Sequence, residues 1–366
     1  MSSLKKVTVL GCGKIGKLVC HLLSTSGSYA VTAVDGNKDA AHLATLNGEG
    51  KPLAHVVAKV ANFADRASMS EAIKGHDYVL SCAPYHCNVQ IAQLAKELGV
   101  HYLDLTEDVA TTKAVMQLAE NSKLAFIPQC GLAPGFISIV AHALAKEFEA
   151  LESVKMRVGA LPMYPHNRLK YNLTWSTEGL INEYGNPCES VINGKMTLVP
   201  ALEGLESFSL DGMEYEAFNT SGGLGTLAET WSGKVRSMDY KSIRYPGHRE
   251  IMALLMNDFK LNDDRDTLKK IFENALPHTA QDVVIIFVTA AGYKDGRYSQ
   301  KSYAKKIYNS EIGKEHWGAI QITTAAGICA VLDMHATGKI KSSGFVRQED
   351  VALDAFLENQ FGKHYS

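Results

Sequence analysis

The chain is 366 residues long, a length that accommodates two domains or one domain with a large insertion. Hydrophobic residues make up 46% and charged residues 21%, with 30 glycines and 10 prolines, which excludes disordered, collagen-like and fibrous chains. The 37 basic and 39 acidic residues leave a formal charge of −2, so no global field gathers nucleic acid or an anionic membrane surface, and small molecules are the expected partners.

The opening, MSSLKKVTVLGCG, runs straight into a short apolar strand, so no secretion signal is expected. Six strand-like runs then alternate with amphipathic segments: 7–11, 29–35, 56–63, 78–84, 101–106 and 124–130. One such segment is 91–99, where Ile91, Leu94, Ala95 and Leu98 share a helical face. Apolar strands separated by helices imply a parallel sheet covered on both sides, a doubly wound α/β domain.

Directly after the first strand stands Gly11-Cys12-Gly13-Lys14-Ile15-Gly16, a G-x-G-x-x-G pattern that opens a helix and precedes Asp35, at the end of the second strand, by 24 residues. Each glycine has a job in a dinucleotide-binding (Rossmann) site. Gly11 permits the tight turn, Gly13 lets backbone approach a pyrophosphate, and Gly16 lets helix and strand pack closely. The helix start, with Lys14 and Ile15, offers N–H groups to the anion. A bare structural turn is the alternative. Asp35 decides between cofactors: its carboxylate can accept from ribose hydroxyls and repels a 2′-phosphate, which favours NAD over NADP, although Lys38 partly compensates. The loops after the later strands place Asn62 and Phe63 near the adenine, Ser81, Cys82, Ala83 and Pro84 near the nicotinamide ribose, and Asp104, Leu105 and Thr106 beside the nicotinamide. Cys82 has no basic neighbour in sequence and reads as a packing residue.

Beyond about residue 135 the strands lengthen (154–161 and 301–310), and Asp295-Gly296 joins two strand-like runs as a hairpin, predicting an antiparallel sheet with a few helices. The stretch 319–338 reads as a small-residue helix ended by Gly338, followed by an amphipathic helix at 348–360. The expected organisation is a discontinuous dinucleotide-binding domain, 1–134 with 315–366, and an α+β domain, 135–314. The seven cysteines form no C-x-x-C pair or C/H cluster, which argues against a disulfide framework and against a metal site and fits a cytoplasmic location. No apolar run long enough to span a membrane is apparent.

The segments VLGCGKIG, SCAPYHCN, YLDLTED, IPQCGLAPGF, WSTEGLINEY, AFNTSGGLGTL and KSIRYPGH resemble the saccharopine reductase and lysine 6-dehydrogenase family. The nearest likeness, through T-S-G-G and R-Y-P-G-H, is to the lysine 6-dehydrogenases. The resemblance spans about residues 5–340. It implies a substrate-binding and dimerisation domain after the dinucleotide domain, hence a homodimer, and chemistry at the C–N bond of an amino acid. In lysine 6-dehydrogenases the ε-amine of L-lysine is oxidised by NAD to an imine, and water releases ammonia and leaves the semialdehyde. Saccharopine reductases usually prefer NADP and carry a basic residue near the position held here by Asp35.

Hydride leaves only a neutral amine, while a free lysine ε-ammonium has a pKa of about 10.4, so a base, a proton relay or alkaline conditions are needed. Candidates in the family-like segments are Tyr85, His86, Asp104, Glu107 and His248. Tyr85 and Asp104 are expected to position the reacting nitrogen, with a helix cap as the alternative role of Asp104. Arg244 offers a planar fork for the substrate α-carboxylate, with a salt bridge inside the second domain as its alternative. Thr177 and Glu178 suit the α-ammonium and carboxylate, and Ser221 begins a glycine turn that either presents N–H groups or merely turns the chain. Three readings remain: an NAD-dependent lysine-type amino acid dehydrogenase, an imine-forming reductase of the saccharopine kind, and a dinucleotide-binding sensor without turnover.

Overall fold

Six strands in the first third of the chain pair in parallel: β1 (Lys5–Leu10), β2 (Tyr29–Asp35), β3 (Val56–Val60), β4 (Tyr78–Ser81), β5 (His101–Asp104) and β6 (Ala125–Ile127). These come from a computed structural model that describes residues 4–366. β4 is buried throughout, as is the second half of β1 from Val7 to Leu10, which is why they read as unbroken apolar runs. The strand order is β6-β5-β4-β1-β2-β3, and a two-residue strand, Gly344–Phe345, extends it beyond β6. That edge is too short to leave a periodic signal in sequence.

The intervening helices are α1 (Lys14–Ser26), α2 (Lys38–Leu43), α3 (Arg66–Ile73), α4 (Asn88–Leu98) and α5 (Val109–Ala119). α1 and α4 stop at Gly27 and Gly99, both left-handed, with φ of 68° and 75°, where a Cβ would be strained. Ala72, Ile73, Ile91, Leu94 and Val115 from these helices close over Leu10, Val79, Tyr102 and Phe126 of the sheet. The long helix Ala319–Ala336 is by length and composition able to cross a bilayer, yet 78% of it is buried inside the protein. Its Gly327 lies so close to the turn after β6 that a Cβ there would meet the Cys130 carbonyl oxygen at 2.7 Å. Gly338, with φ of 73°, follows its end.

The chain divides into two compact units. One holds the residues up to Phe136 with 311–317 and 321–366; the other holds 137–310 with 318–320.

In the second unit, a helix starting at the division, α6 (Phe136–Ala145), leads into β7 (Ala150–Pro162). Then come α7 (Thr177–Gly185), β8 (Cys188–Ile192), β9 (Lys195–Val199), β10 (Glu206–Leu210), β11 (Met213–Asn219), α8 (Leu227–Trp231), β12 (Val235–Arg244), α9 (His248–Ala253), α10 (Arg265–Ala275), β13 (Asp282–Lys294) and β14 (Arg297–Tyr308). The sheet order is β10-β11-β12-β7-β13-β14, with the β8–β9 hairpin attached to β12. The Asp295-Gly296 hairpin forms: Lys294 pairs Arg297, and the two turn residues have φ of 51° and 70°, the positive pair such a turn requires. The sheet is mixed rather than wholly antiparallel, because β12 runs parallel to β7. That pairing needs the long crossover through α7 and the hairpins, a non-local link that strand periodicity does not reveal.

The sheet curls. Phe208 of β10 stacks on Phe287 of β13 at 6.1 Å, although three strands lie between them. Arg157, buried on its inner face, is held between Glu206 and Asp239, and Lys241 joins Glu206 at 3.0 Å. Each of these cations has a carboxylate.

Candidate functional site

In the first unit, β1 is where strand order reverses, with β2 on one side and β4 on the other. Ligands of doubly wound sheets bind beyond the carboxyl ends of the strands at such a point. A cavity of about 620 Å3 lies there. Gly11 and Gly13 line it from the loop after β1, Asp35 and Gly36 from the end of β2, Val60, Asn62 and Phe63 from β3, and Cys82, Ala83 and Pro84 from β4.

The three loop glycines differ in why they are glycine. Gly11 has φ of 92°, and a Cβ on it would lie 2.7 Å from the Cys82 carbonyl oxygen. A Cβ on Gly16 would lie 1.8 Å from the Gly11 oxygen, so any side chain there breaks the turn. Around Gly13 nothing lies within 4 Å of such a Cβ. Packing does not demand glycine at 13; an open backbone beside the cavity is what it provides. Gly13 is also the N-cap of α1 with no side chain capping the helix, which leaves the helix start available to an anion. These residues fit a dinucleotide.

Asp35 is already engaged with the loop: its Oδ2 accepts the Cys12 N–H at 2.7 Å and its Oδ1 accepts the Asn37 N–H at 2.8 Å. Each oxygen keeps a further lone pair for a ribose hydroxyl. Burial, with the Asp35 charge next, pushes the Cys12 thiol up to about 12, and burial raises Cys82 further. Both remain thiols near neutral pH and act as packing groups.

Other expected cofactor residues stand apart from the cavity wall. Lys14 is exposed and Ile15 half-buried on the first turn of α1. Ser81 is buried and turned inward, its hydroxyl donating to Asn88 Oδ1 at 2.6 Å. Leu105 is half-buried, beside Gly131.

Asp104 corrects an expectation. Its carboxylate is fully buried; Oδ1 accepts the N–H groups of Thr106 and Gln129, each at 2.9 Å, and Oδ2 accepts the Tyr102 hydroxyl at 2.7 Å. Burial raises its pKa against the opposing pull of those hydrogen bonds. It ties β5 to the segment after β6 instead of facing a ligand. Nor does it cap α5: Asp108 does, accepting the Thr111 N–H at 2.7 Å. Tyr85 sits one residue past Pro84 in a short 3-10 turn, half-buried, with the exposed His86 ring edge-on at 5.9 Å.

In the second unit, Arg244 ends β12 and is only 3% exposed. Its Nε donates to the Tyr184 hydroxyl at 2.7 Å and its Nη1 to the Ile243 carbonyl at 2.8 Å. The guanidinium centre stands 5.2 Å from the Tyr171 ring and 5.7 Å from the Tyr184 ring. Unlike Arg157, it has no carboxylate within ion-pair distance among the described residues. Tyr171, whose ring flanks the guanidinium, is itself fully buried. Desolvating a buried cation is costly; Glu183 pulls on Arg244 electrostatically without an ion pair, and a carboxylate ligand in direct contact would offset more of that cost.

His248 is fully buried, with Nε2 3.0 Å from the Tyr184 hydroxyl and Nδ1 2.9 Å from the Leu169 oxygen. Burial, then the Arg244 cation, pushes its pKa down to about 3. Both ring nitrogens are engaged with protein atoms, so it has no free nitrogen for the catalytic role expected of it. Glu178 is also displaced from its expected role: it lies on the outer side of α7, about half exposed, 3.5 Å from Lys269. Helical phase does not account for this, because Ile181 and Asn182, three and four residues on and on either side of its direction, are buried; Glu178 is the exception in the first turn of a helix whose residues from Gly179 to Tyr184 are all buried. Ser221 anchors its turn to the end of α7, its N–H donating to the Glu183 carbonyl at 2.9 Å and its hydroxyl to that of Asn182 at 3.3 Å. Next to it, a Cβ on Gly223 would collide with the Tyr240 ring, so this turn is a packing device. Tyr171 and Tyr184 went unnoticed in sequence; the signal was Tyr184, seven residues and two helical turns after Thr177.

Comparison with known proteins agrees with this architecture. The family model described as the saccharopine dehydrogenase NADP binding domain matches residues 7–126, and that of the saccharopine dehydrogenase C-terminal domain matches 131–361. Mitochondrial alpha-aminoadipic semialdehyde synthase of Mus musculus is 26% identical over 205 residues, covering 54% of this chain and 22% of that protein. The chain thus spans about a fifth of that relative's length. The saccharopine dehydrogenase [NADP(+), L-glutamate-forming] of Pyricularia oryzae is 21% identical over 301 residues, covering 80% of this chain and 65% of that one. The apo saccharopine dehydrogenase (L-Glu forming) structure from Saccharomyces cerevisiae superposes with a TM-score of 0.78 at 15% identity, covering 96% of both chains, and so shares the fold. With both family models matched across nearly its whole length, the chain belongs to the saccharopine dehydrogenase family, whose members are oxidoreductases acting on CH–NH donors.

Proposed function

We propose that this protein is an NAD-dependent oxidoreductase of an amino acid C–N bond, and that its substrate is the ε-amine of L-lysine, which leaves as ammonia to give the semialdehyde. The observation that carries the reading is Asp35, an acid on the cavity wall at the end of β2. A carboxylate there accepts from both ribose hydroxyls of NAD and opposes a 2′-phosphate. The matched family model is of an NADP-binding domain; Asp35 is the chain's own departure from that preference. Arg244 supports an amino acid substrate, since a buried guanidinium with no ion pair suits an α-carboxylate.

A nicotinamide held in the cavity would supply the hydride acceptor for the carbon that bears the amine. The protein's residues bind and orient. The open backbone at Gly13 and the start of α1 hold the pyrophosphate, Asp35 the ribose, and Arg244 the carboxylate. With Asp104 and His248 both buried and committed, neither removes the ammonium proton. Turnover therefore rises with alkalinity toward the lysine pKa of about 10.4.

A second reading is favoured by the relatives' own names: formation or cleavage of saccharopine with NADP. Purified protein assayed with NAD and single L-amino acids from about pH 7 to 10, following reduced nicotinamide by absorbance, separates the two. Ammonia release from L-lysine with NAD, rising with pH, supports the first. Turnover confined to L-saccharopine with NADP replaces it with the second, and cofactor binding without turnover of either removes both.

A further inference from the structure

We infer that His248 is a positioning residue: through Tyr184 it holds the Arg244 guanidinium in the orientation that receives a carboxylate. This rests on the reading of Arg244 as the carboxylate-binding group. The donor and acceptor chemistry allows one set of directions. The Leu169 carbonyl oxygen can only accept, so His248 Nδ1, 2.9 Å away, carries a proton. Arg244 Nε can only donate, so the Tyr184 oxygen accepts it at 2.7 Å. The single Tyr184 proton is then left for His248 Nε2, 3.0 Å away, which in a neutral ring is the acceptor. Arg244, Tyr184, His248 and the Leu169 carbonyl thus form one chain of donors running away from the guanidinium. A second proton on the ring would set two donors against the Tyr184 oxygen and place another cation beside Arg244.

The packing holds the chain in register. Phe218 stacks on the His248 ring at 6.2 Å with 10° between planes, and Tyr171 lies 5.4 Å away, so the imidazole cannot turn to exchange its nitrogens. At the other end, Nε and Nη1 of Arg244 are spent on Tyr184 and Ile243. The described hydrogen bonds of Arg244 leave from Nε and Nη1, and none from Nη2. What the relay fixes is therefore the direction in which the free edge of the guanidinium points. A histidine suits this post because it donates with one nitrogen and accepts with the other at opposite ends of a rigid ring.

Two measurements on the full chain test this. With histidine labelled in 15N, NMR near neutral pH should show one ring as the Nδ1–H tautomer with Nε2 unprotonated, and that signal should vanish in His248→Gln. An Nε2–H proton on this ring overturns the inference whatever the enzyme's substrate. Kinetics use whichever of L-lysine or L-saccharopine the wild type turns over. His248→Leu and Tyr184→Phe should each raise KM about tenfold, with kcat changed less than about twofold. The double variant should be no worse than the weaker single variant, because both break one chain. His248→Gln, which places an amide oxygen near the position of Nε2, should recover most of the loss. If Arg244→Ala raises KM and the folded His248→Leu does not, the relay is wrong and the carboxylate reading stands. If Arg244→Ala also leaves KM unchanged, both fall.

Discussion

The cavity of the first unit is formed by residues at four strand ends, three of them glycines, whereas the Arg244 cluster of the second is built from buried side chains that hydrogen-bond one another. The first kind of site depends on the absence of atoms: a Cβ has no room at Gly11 or Gly16, and at Gly13 its absence leaves the backbone open. The second depends on the presence of partners, since Arg244 is oriented by Tyr184 and Tyr184 faces His248. Damage should differ accordingly. A methyl group disables the first, while loss of one hydrogen bond in the second is graded.

The largest effect is expected from Gly16→Ala. Its Cβ would overlap the Gly11 carbonyl at 1.8 Å, so NAD affinity should fall by roughly a hundredfold or more, with a lower unfolding temperature. Calorimetric titration and thermal melting check this, and unaltered NAD affinity would show that the loop is not where the nucleotide sits. Arg244→Ala comes next. Removing the buried cation should raise KM for a carboxylate-bearing amino acid by about a hundredfold and leave NAD affinity unchanged. An unchanged KM would place the substrate elsewhere.

These two sites were unequally legible in the sequence. The glycine loop, its strand, its helix and Asp35 follow one another within one βαβ unit, and local backbone geometry leaves a readable spacing. The relay joins residues 60 and 64 positions apart, and nothing in their spacing announces it. Arg244 was visible as a fork-shaped cation at a strand end, but its burial without an ion pair was not. Asp104 and Asp108 illustrate a subtler limit: one ends β5 and the other follows it four residues later, both are acids, and only the path of the turn makes the first a buried tie and the second the cap. Likewise the parallel pairing of β7 and β12 is settled by how the crossover packs, whereas the β13–β14 hairpin is settled by its own two turn residues.

Smaller effects sharpen the contrast. Asp104→Asn should destabilise the first unit by about 1–3 kcal/mol, because one buried N–H acceptor is replaced or reversed. Its kcat per folded molecule should stay within about twofold; a loss of kcat without a loss of stability would return Asp104 to the reaction. Asp35→Ala combined with Gly36→Arg should move the NAD to NADP preference about tenfold toward NADP. Position 36 can take a side chain, since a Cβ there meets only the Ala61 oxygen at 3.7 Å. Smallest of all is Glu178→Gln. The side chain is about half exposed and paired only loosely with Lys269, so stability should shift by less than about 0.5 kcal/mol with unchanged KM, as measured by denaturant unfolding and steady-state rates.

Isothermal titration of the wild-type chain with NAD and, separately, NADP tests the central claim most directly. A saturable heat with NAD, and at least about tenfold weaker binding of NADP, is the result expected of a cavity whose second strand ends in Asp35. Tighter binding of NADP, or no heat with either nucleotide, would contradict it.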